Sequence, residues 1–171
     1  LTSEEGQQVF QSCLNSMPQL RKLRLVELPA NKLSPDLLTR ASLCCKSLLS
    51  LEIDAKKVEE GAEIGAMDDS VRDLICASDE LQDLSLTAVP FSEEDAMKIS
   101  AKLRKVAFHC REDGQIFVKL STVLTLLRRC PDLCELSINE SITSEHNSAE
   151  PISTDELLVE IAEKAPNLER L

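Results

Sequence analysis

Aliphatic residues recur along the chain in blocks of the form Leu-x-x-Leu-x-Leu or a close variant of it. The first leucines of successive blocks are 28, 33, 22, 30 and 35 residues apart. The six blocks begin at Leu20, Leu48, Leu81, Leu103, Leu133 and Leu168. Self-similarity at a period of roughly 20 to 50 residues is typical of repeat architectures, in which each unit buries its apolar face against the next. The pattern therefore predicts a solenoid.

Each block is predicted to form a short strand in which inward and outward side chains alternate. In the third block, Leu84 and Leu86 should point into the core and Asp83 should point outward. The segments between blocks instead show helical periodicity. The predicted buried stripes are Leu37, Leu38, Ala41, Cys44 and Cys45; Leu120, Val123, Leu124, Leu127 and Cys130; and Leu157, Leu158, Ile161, Ala162 and Ala165.

The boundaries of the predicted helices repeat as well. Ser34, Ser92 and Ser153 are predicted N-caps, because a hydroxyl accepts a free backbone N–H and the acidic residues that follow favour the positive end of the helix. Residues 153–156 have the sequence of a capping box. A proline two residues before a block is predicted to end the preceding helix at three places: Pro18, Pro131 and Pro166.

Strands that alternate with helices predict an α/β fold with a parallel sheet. We expect residues 1–171 to form one domain of about five to six irregular repeats, with a curved sheet on the concave face and helices on the convex face. An all-helical repeat array is the competing fold. Two long polar intervals, 54–66 and 139–151, are predicted loop insertions that are either solvated or in contact with a partner. Because the chain starts at Leu1 and ends inside a block, we expect a fragment of a longer solenoid.

The junction between helix and strand carries a family resemblance. It reads LLRRCPDLCEL at 126–136, with a looser form, SLCCKSL, at 42–48. With its repeated blocks, the chain resembles leucine-rich repeat proteins of the ribonuclease-inhibitor-like type and is most similar to the F-box/leucine-rich repeat proteins. The resemblance implies the substrate-recognition part of an SCF-type E3 ubiquitin ligase. Its implied partners are a ubiquitination substrate and, through regions outside this chain, a Skp1–cullin assembly. The alternative is a regulatory or structural scaffold without a ligase role.

Composition excludes several classes of partner. The formal net charge of −11 and the absence of Tyr and Trp disfavour nucleic acid, which needs cations for its phosphates and aromatic rings for its bases. The same charge disfavours an anionic membrane surface, and no apolar run is long enough to predict a transmembrane helix. Seven cysteines without a Cys-x-x-Cys pair indicate reduced thiols. We expect an intracellular protein, cytoplasmic or nuclear, that binds other proteins.

Residues with catalytic or metal-binding chemistry are few. His109 and Cys110 are adjacent, so they should point to opposite sides of the chain and not form a base and nucleophile. Cys130 and Cys134 lack two further zinc ligands, and the acidic run 93–95 is explained by its place at a helix start. No phosphate-binding glycine loop is present. We expect no cofactor and no enzymatic activity, and a cysteine-dependent enzyme is the disfavoured third hypothesis.

The outward side chains of successive blocks should align in rows across the concave face. A protein-binding surface is predicted there, formed by Lys22, Arg24, Glu52, Asp83, Lys105, His109, Glu135, Asn139 and Arg170. Large anchoring side chains are scarce in this set, since only Arg24 and Arg170 belong to the residue types that dominate interface energies. A plain solvated face is the alternative interpretation of the same residues.

Overall fold

The computed structural model describes residues 4–28, 41, 46–55, 69–109, 118–139, 159, 161–163 and 165–170. In these ranges the chain forms helix α1 (Glu4–Ser16), strands β1 (Lys22–Leu28) and β2 (Ser50–Ala55), helix α2 (Asp69–Cys76), strand β3 (Asp83–Thr87), helix α3 (Glu93–Lys98), strand β4 (Lys105–His109), helix α4 (Leu120–Arg129) and strand β5 (Glu135–Asn139). The strands form one sheet in chain order, and each is parallel to its neighbours. The predicted α/β class and parallel sheet are confirmed, and the all-helical array is excluded.

A tight turn precedes the strands. The N–H group of a leucine that opens a block donates to the carbonyl oxygen three residues earlier, at 3.0 to 3.2 Å. This bond is present at Leu20, Leu81, Leu133 and Leu168. Pro18, Pro131 and Pro166 occupy the second position of three of these turns, where the fixed φ of proline fits and no N–H is needed. The prolines therefore shape the entry into the strand as well as end the helix.

A second recurring hydrogen-bond pattern joins the repeats. The carbonyl oxygen of the residue just before a strand accepts two consecutive N–H groups from the next block, at 2.8 to 3.1 Å. The accepting residues are Arg21, Leu49, Gln82, Arg104 and Cys134. Each block is thus held in one register against the next, and Leu51, Leu84 and Val106 stack in a column. The register shifts only within β1, after Leu25, among the strands described.

The inward side chains form the core as predicted. Leu84 is 2% exposed and Leu86 is 1% exposed, whereas the outward Asp83 is half-buried. Phe108 lies in the same layer, and its ring centroid is 5.3 Å from that of Phe91. Burying a leucine side chain contributes about 1.5–3 kcal/mol, so these repeated columns supply much of the driving force for folding.

Helix α4 differs in part from its predicted orientation. Three members of the predicted stripe are buried: Val123, Leu127 and Cys130. Leu120 and Leu124 are only half-buried, while Leu126 and Thr122 are buried in their place. Apolar residues lie on several sides of this helix, so periodicity alone leaves its rotation open. Contact with the neighbouring helix α3 selects the rotation that is observed.

The last predicted stripe is also partly wrong. Ile161 is buried and Ala165 packs against the core, but Ala162 is exposed. Successive residues lie about 100° apart around a helix, and the helix turns Ile161 toward the core. Of the earlier stripe, Ala41 is buried. The remaining predicted positions, 34, 37–38, 44–45 and 153–158, lie outside the described residues.

The two predicted insertions begin too early. Asp54 and Ala55 belong to strand β2, and Asn139 belongs to strand β5. Each pairs through the backbone with a neighbouring strand, which extends the ladder beyond the last leucine of the block. The rest of both intervals, 56–66 and 140–151, lies outside the described residues.

Candidate protein-binding surface

The outward side chains of the sheet, which we call the strand face, are aligned by the parallel register. The first row consists of Lys22, Ser50, Asp83, Lys105, Glu135 and Arg170. The second row consists of Arg24, Glu52, Ser85, Ala107 and Ser137. The third row consists of Asp54, Thr87 and His109, and the backbone of Asn139 continues its register beside His109. The predicted alignment of the outward positions is therefore confirmed, except that Val26 falls at the register shift of β1 and does not extend the third row.

An open groove of about 440 Å³ runs across the strand face. Its lining comes from the first and second rows of strands β2 to β5, together with Arg170. The second row has short side chains at Ser85, Ala107 and Ser137, whereas the first row carries longer charged side chains. The groove is therefore shallow on one side and bounded by charges on the other.

Ion pairs connect the long side chains of the strand face to one another. Arg24 Nε lies 2.9 Å from Glu52 Oε1. Glu135 forms ion pairs with two basic side chains: Lys105 Nζ lies 2.9 Å from its Oε2, and Arg170 Nη1 lies 3.1 Å from its Oε1. The hydrogen bond from Lys105 lowers the pKa of Glu135 and in turn raises the pKa of Lys105. These pairs are solvent-exposed, so they orient side chains and contribute little to stability.

The strand face is electrically balanced on a strongly acidic chain. Its cations are Lys22, Arg24, Lys105 and Arg170, and its anions are Glu52, Asp54, Asp83 and Glu135. The two sets cancel, although the whole chain carries −11. The three rows therefore differ from the rest of the chain, which carries the excess negative charge.

The predicted binding residues lie together on this one face, in the three rows defined above. Glu135 is the best connected of them, through its pairs with Lys105 and Arg170. His109 and Asn139 sit opposite each other in the third row. Binding by these residues stays a prediction. Their mutual ion pairs were not predicted, although opposite charges at the same position of neighbouring blocks are a signal that the sequence carries.

A buried charge cluster was also missed. Ser92 is the N-cap of α3, as predicted, and its hydroxyl accepts from the Asp95 N–H at 3.3 Å. In return, the Asp95 carboxylate accepts from the Ser92 N–H at 2.8 Å and from its hydroxyl at 2.6 Å. Arg72 of helix α2 donates to the same carboxylate. Burial raises the pKa of Asp95, but the hydrogen bonds from Ser92 and Arg72 outweigh it and hold the pKa below its ordinary value.

The described cysteines and histidine do not assemble into a reactive site. Cys130 donates its Sγ–H to the Ser100 carbonyl at 3.5 Å, and Cys134 donates to the Arg104 carbonyl at 3.2 Å. His109 lies in strand β4, whereas Cys110 falls outside the described residues. Within the described ranges, no three His, Cys, Asp or Glu side chains gather as a metal site, and no helix has the length and apolarity to cross a bilayer. The absence of enzymatic activity stays a prediction.

Comparisons with known proteins leave the family open. No protein-family model and no curated protein match the sequence. Among solved structures, the chain is similar to one described as Leiomodin-1 Actin-Binding Site 2, at 11% identity over 92% of this chain and 86% of that one, with a TM-score of 0.49. It is also similar to the tropomodulin C-terminal domain from Caenorhabditis elegans, at 12% identity over 94% and 80%, with a TM-score of 0.38. At these scores the similarities assign neither a family nor a partner, and the F-box resemblance stays a prediction.

Proposed function

We propose that this chain is a protein-binding repeat module whose partner contacts the strand face. The single observation behind the proposal is the shared register of six consecutive blocks, which aligns polar side chains of both signs into continuous rows beside a groove. Stability of the fold requires apolar residues only at the inward positions, so it does not explain which residues occupy the outward rows. A face rich in charge and neutral in sum, on a chain of −11, is suited to recognition.

The proposal includes a solenoid whose strand face is concave. Neighbouring strands are about 4.8 Å apart, whereas packed helices need about 8–10 Å between their axes. Helix α2 contacts α3, and α3 contacts α4, so these helices lie side by side. Because helices packed side by side need more room than neighbouring strands, this arrangement supports a curvature in which the sheet is on the shorter, inner side. The repeats would then curve around the groove and wrap a partner on several sides.

A regulatory or structural scaffold is the version of this function that we favour. The proposal needs only the polar rows of the strand face, and the described residues carry no feature specific to a ubiquitin ligase. The substrate-recognition part of an SCF-type E3 ligase is the narrower version, and it requires a Skp1–cullin assembly bound elsewhere in the parent protein.

Affinity purification of the tagged parent protein from its own cells, with partners identified by mass spectrometry, tests the proposal. The variant combines Arg24→Ala and Arg170→Ala, at opposite ends of the strand face, where the side chains are 69% and 78% exposed. The matched control combines Lys119→Ala and Arg128→Ala, which removes the same number of exposed cations from helix α4 and its N-cap.

We expect a stable protein partner to be lost with the strand-face variant and retained with the control. Interface arginines at well-packed sites contribute about 2 kcal/mol or more, which is roughly a 30-fold loss of affinity. Equal recovery with both variants would remove the strand face as the contact surface. Recovery of a Skp1–cullin assembly would establish the ligase version, and its absence beside another stable partner would leave the scaffold.

A further inference from the structure

Charge alternates in sign along the first row of the strand face. Four neighbouring positions read negative, positive, negative and positive: Asp83, Lys105, Glu135 and Arg170. Ion pairs hold these side chains next to one another, since Glu135 pairs with Lys105 on one side and with Arg170 on the other. Asp83, Lys105 and Glu135 lie on consecutive parallel strands, and Arg170 pairs with Glu135 through a parallel bridge, so consecutive charges are separated by about 4.8 Å. These four positions span three such steps, or about 14 Å.

This spacing matches the face of an α-helix and not that of an extended chain. Side chains at i, i+3, i+7 and i+10 of a helix lie on one side and span about 15 Å, at 1.5 Å per residue. Side chains at i, i+2, i+4 and i+6 of an extended segment lie on one side and span about 20 Å. A helix laid across the strands therefore stays in step with the row over all four positions.

The strand face also has room for a helix beside the charged row. The second row is low at Ser85, Ala107 and Ser137, and the groove of about 440 Å³ opens above it. The first and third rows lie four residues apart along the strands, which is about 13 Å. A helix with its side chains is about 10–12 Å across. This width is close to the distance between the charged first row and the third-row positions of Thr87 and His109.

We propose that the groove takes an α-helical segment of the partner that carries basic and acidic side chains alternately at i, i+3, i+7 and i+10. This inference rests on the proposed function and specifies its ligand. Each partner charge then meets an opposite charge of the first row. Opposite charges so close together cancel each other at longer distances, so the row adds little to long-range attraction of the partner. It distinguishes one charge pattern on the partner from another only when the two surfaces are in contact.

Two synthetic helical peptides test the inference against the whole chain, with binding measured by fluorescence anisotropy. The alternating peptide carries Lys, Glu, Lys and Glu at the four positions in an alanine-rich background. The blocked peptide carries Lys, Lys, Glu and Glu at the same positions, with the same composition and net charge. The alternating peptide matches all four charges of the row in one of its two orientations, whereas the blocked peptide matches two of the four in either orientation.

The protein variant combines Lys105→Glu with Glu135→Lys. It keeps the net charge and an opposite pair at these two positions, but it converts the four charges from Asp83 to Arg170 to two anions followed by two cations. A urea unfolding curve shows that the variant is folded. We expect the wild-type chain to bind the alternating peptide about fivefold more tightly, and the variant to prefer the blocked peptide by a similar factor.

Three results would overturn the inference: no binding of either peptide, equal binding of both by the wild-type chain, or an unchanged preference in the variant. None of them affects the purification experiment with Arg24→Ala and Arg170→Ala. The strand face can therefore remain the partner surface even if its ligand is not this kind of helix.

Discussion

Arg72 in helix α2 donates its Nε–H group to the carboxylate of Asp95 in helix α3, 23 residues further along the chain. The Asp95 side chain is only 1% exposed, and its other hydrogen bonds come from the backbone and hydroxyl of Ser92. Consecutive repeats are thus connected by a buried charge as well as by the sheet and the apolar core.

Asp95→Ala should lower the free energy of unfolding by about 2–4 kcal/mol, because it removes a buried carboxylate that satisfies both Ser92 and Arg72. Asp73→Ala is the matched control, since Asp73 is an exposed carboxylate on the same helix as Arg72. It should change stability by less than about 0.5 kcal/mol. Urea unfolding measures both variants, and equal values would deny the Asp95 cluster a structural role.

The same carboxylate should make stability depend on acid pH. Its pKa is lowered in the folded chain, so its contribution is fully present above the unfolded-state value of about 3.9 and is lost as pH falls through the lower folded-state value. Between pH 6 and pH 3, the wild-type chain should therefore lose more stability than Asp95→Asn, which cannot titrate there. Urea midpoints across this range give the comparison. Parallel losses in the two proteins would show that other groups control acid unfolding.

Leu84→Ala should cost about 2–5 kcal/mol, because Leu84 is 2% exposed and stacks between Leu51 and Val106 in an inward column. Asp83→Ala changes the adjacent outward position and should cost less than about 0.5 kcal/mol. Thermal and urea unfolding of the two variants compare directly. Similar destabilisation would contradict the inward and outward assignment of strand β3.

Ala88→Gly should be neutral or slightly stabilising. Ala88 follows strand β3 with φ at 55°, in the left-handed region that favours glycine. Relief of that conformation should offset the extra entropy of glycine in the unfolded chain, which costs about 0.5–1 kcal/mol. Ala96→Gly, in helix α3, has no such compensation and should lower stability by about 1 kcal/mol or more. A larger loss for Ala88→Gly than for Ala96→Gly would contradict this expectation.

Thiol alkylation should separate Cys13 from Cys130. Cys13 is exposed, whereas burial raises the pKa of Cys130 to about 11. At pH 8 only about one in a thousand Cys130 thiols would be ionised, and the thiolate is the reactive form. Timed iodoacetamide labelling with peptide mass spectrometry should therefore modify Cys13 early and Cys130 only after unfolding. Rapid labelling of native Cys130 would revive the cysteine-dependent enzyme hypothesis.

The sheet and its rows could be predicted from sequence because a strand has a period of two and one face is buried. Once Leu84 is inward, Asp83 must be outward, and parallel pairing aligns it with Lys105. The rotation of helix α4 could not be predicted in this way. Its buried Leu126 and half-buried Leu124 have similar apolarity, and only the position of helix α3 distinguishes them.

The buried cluster of Ser92, Asp95 and Arg72 could be predicted from the sequence only in part. A serine followed three residues later by an acid is a readable local signal, and it marks the cap formed by Ser92 and Asp95. The acidic run 93–95 by itself predicts only a helix start and does not single out Asp95. Burial distinguishes Asp95 from its neighbour Glu94, which is exposed and pairs with Lys98. The partner Arg72 comes from another repeat, so no local pattern indicates it.

The turn and the paired N–H bonds before each strand have a consequence for how the chain can vary. Every described strand begins two residues after the leucine that opens its block, although those leucines are separated by 22 to 33 residues. The variation in repeat length therefore falls between the start of one strand and the next turn. The rim of the sheet at which the strands begin is a constant template. Evolution can lengthen or shorten a repeat beyond that rim while the charges of the first row stay aligned.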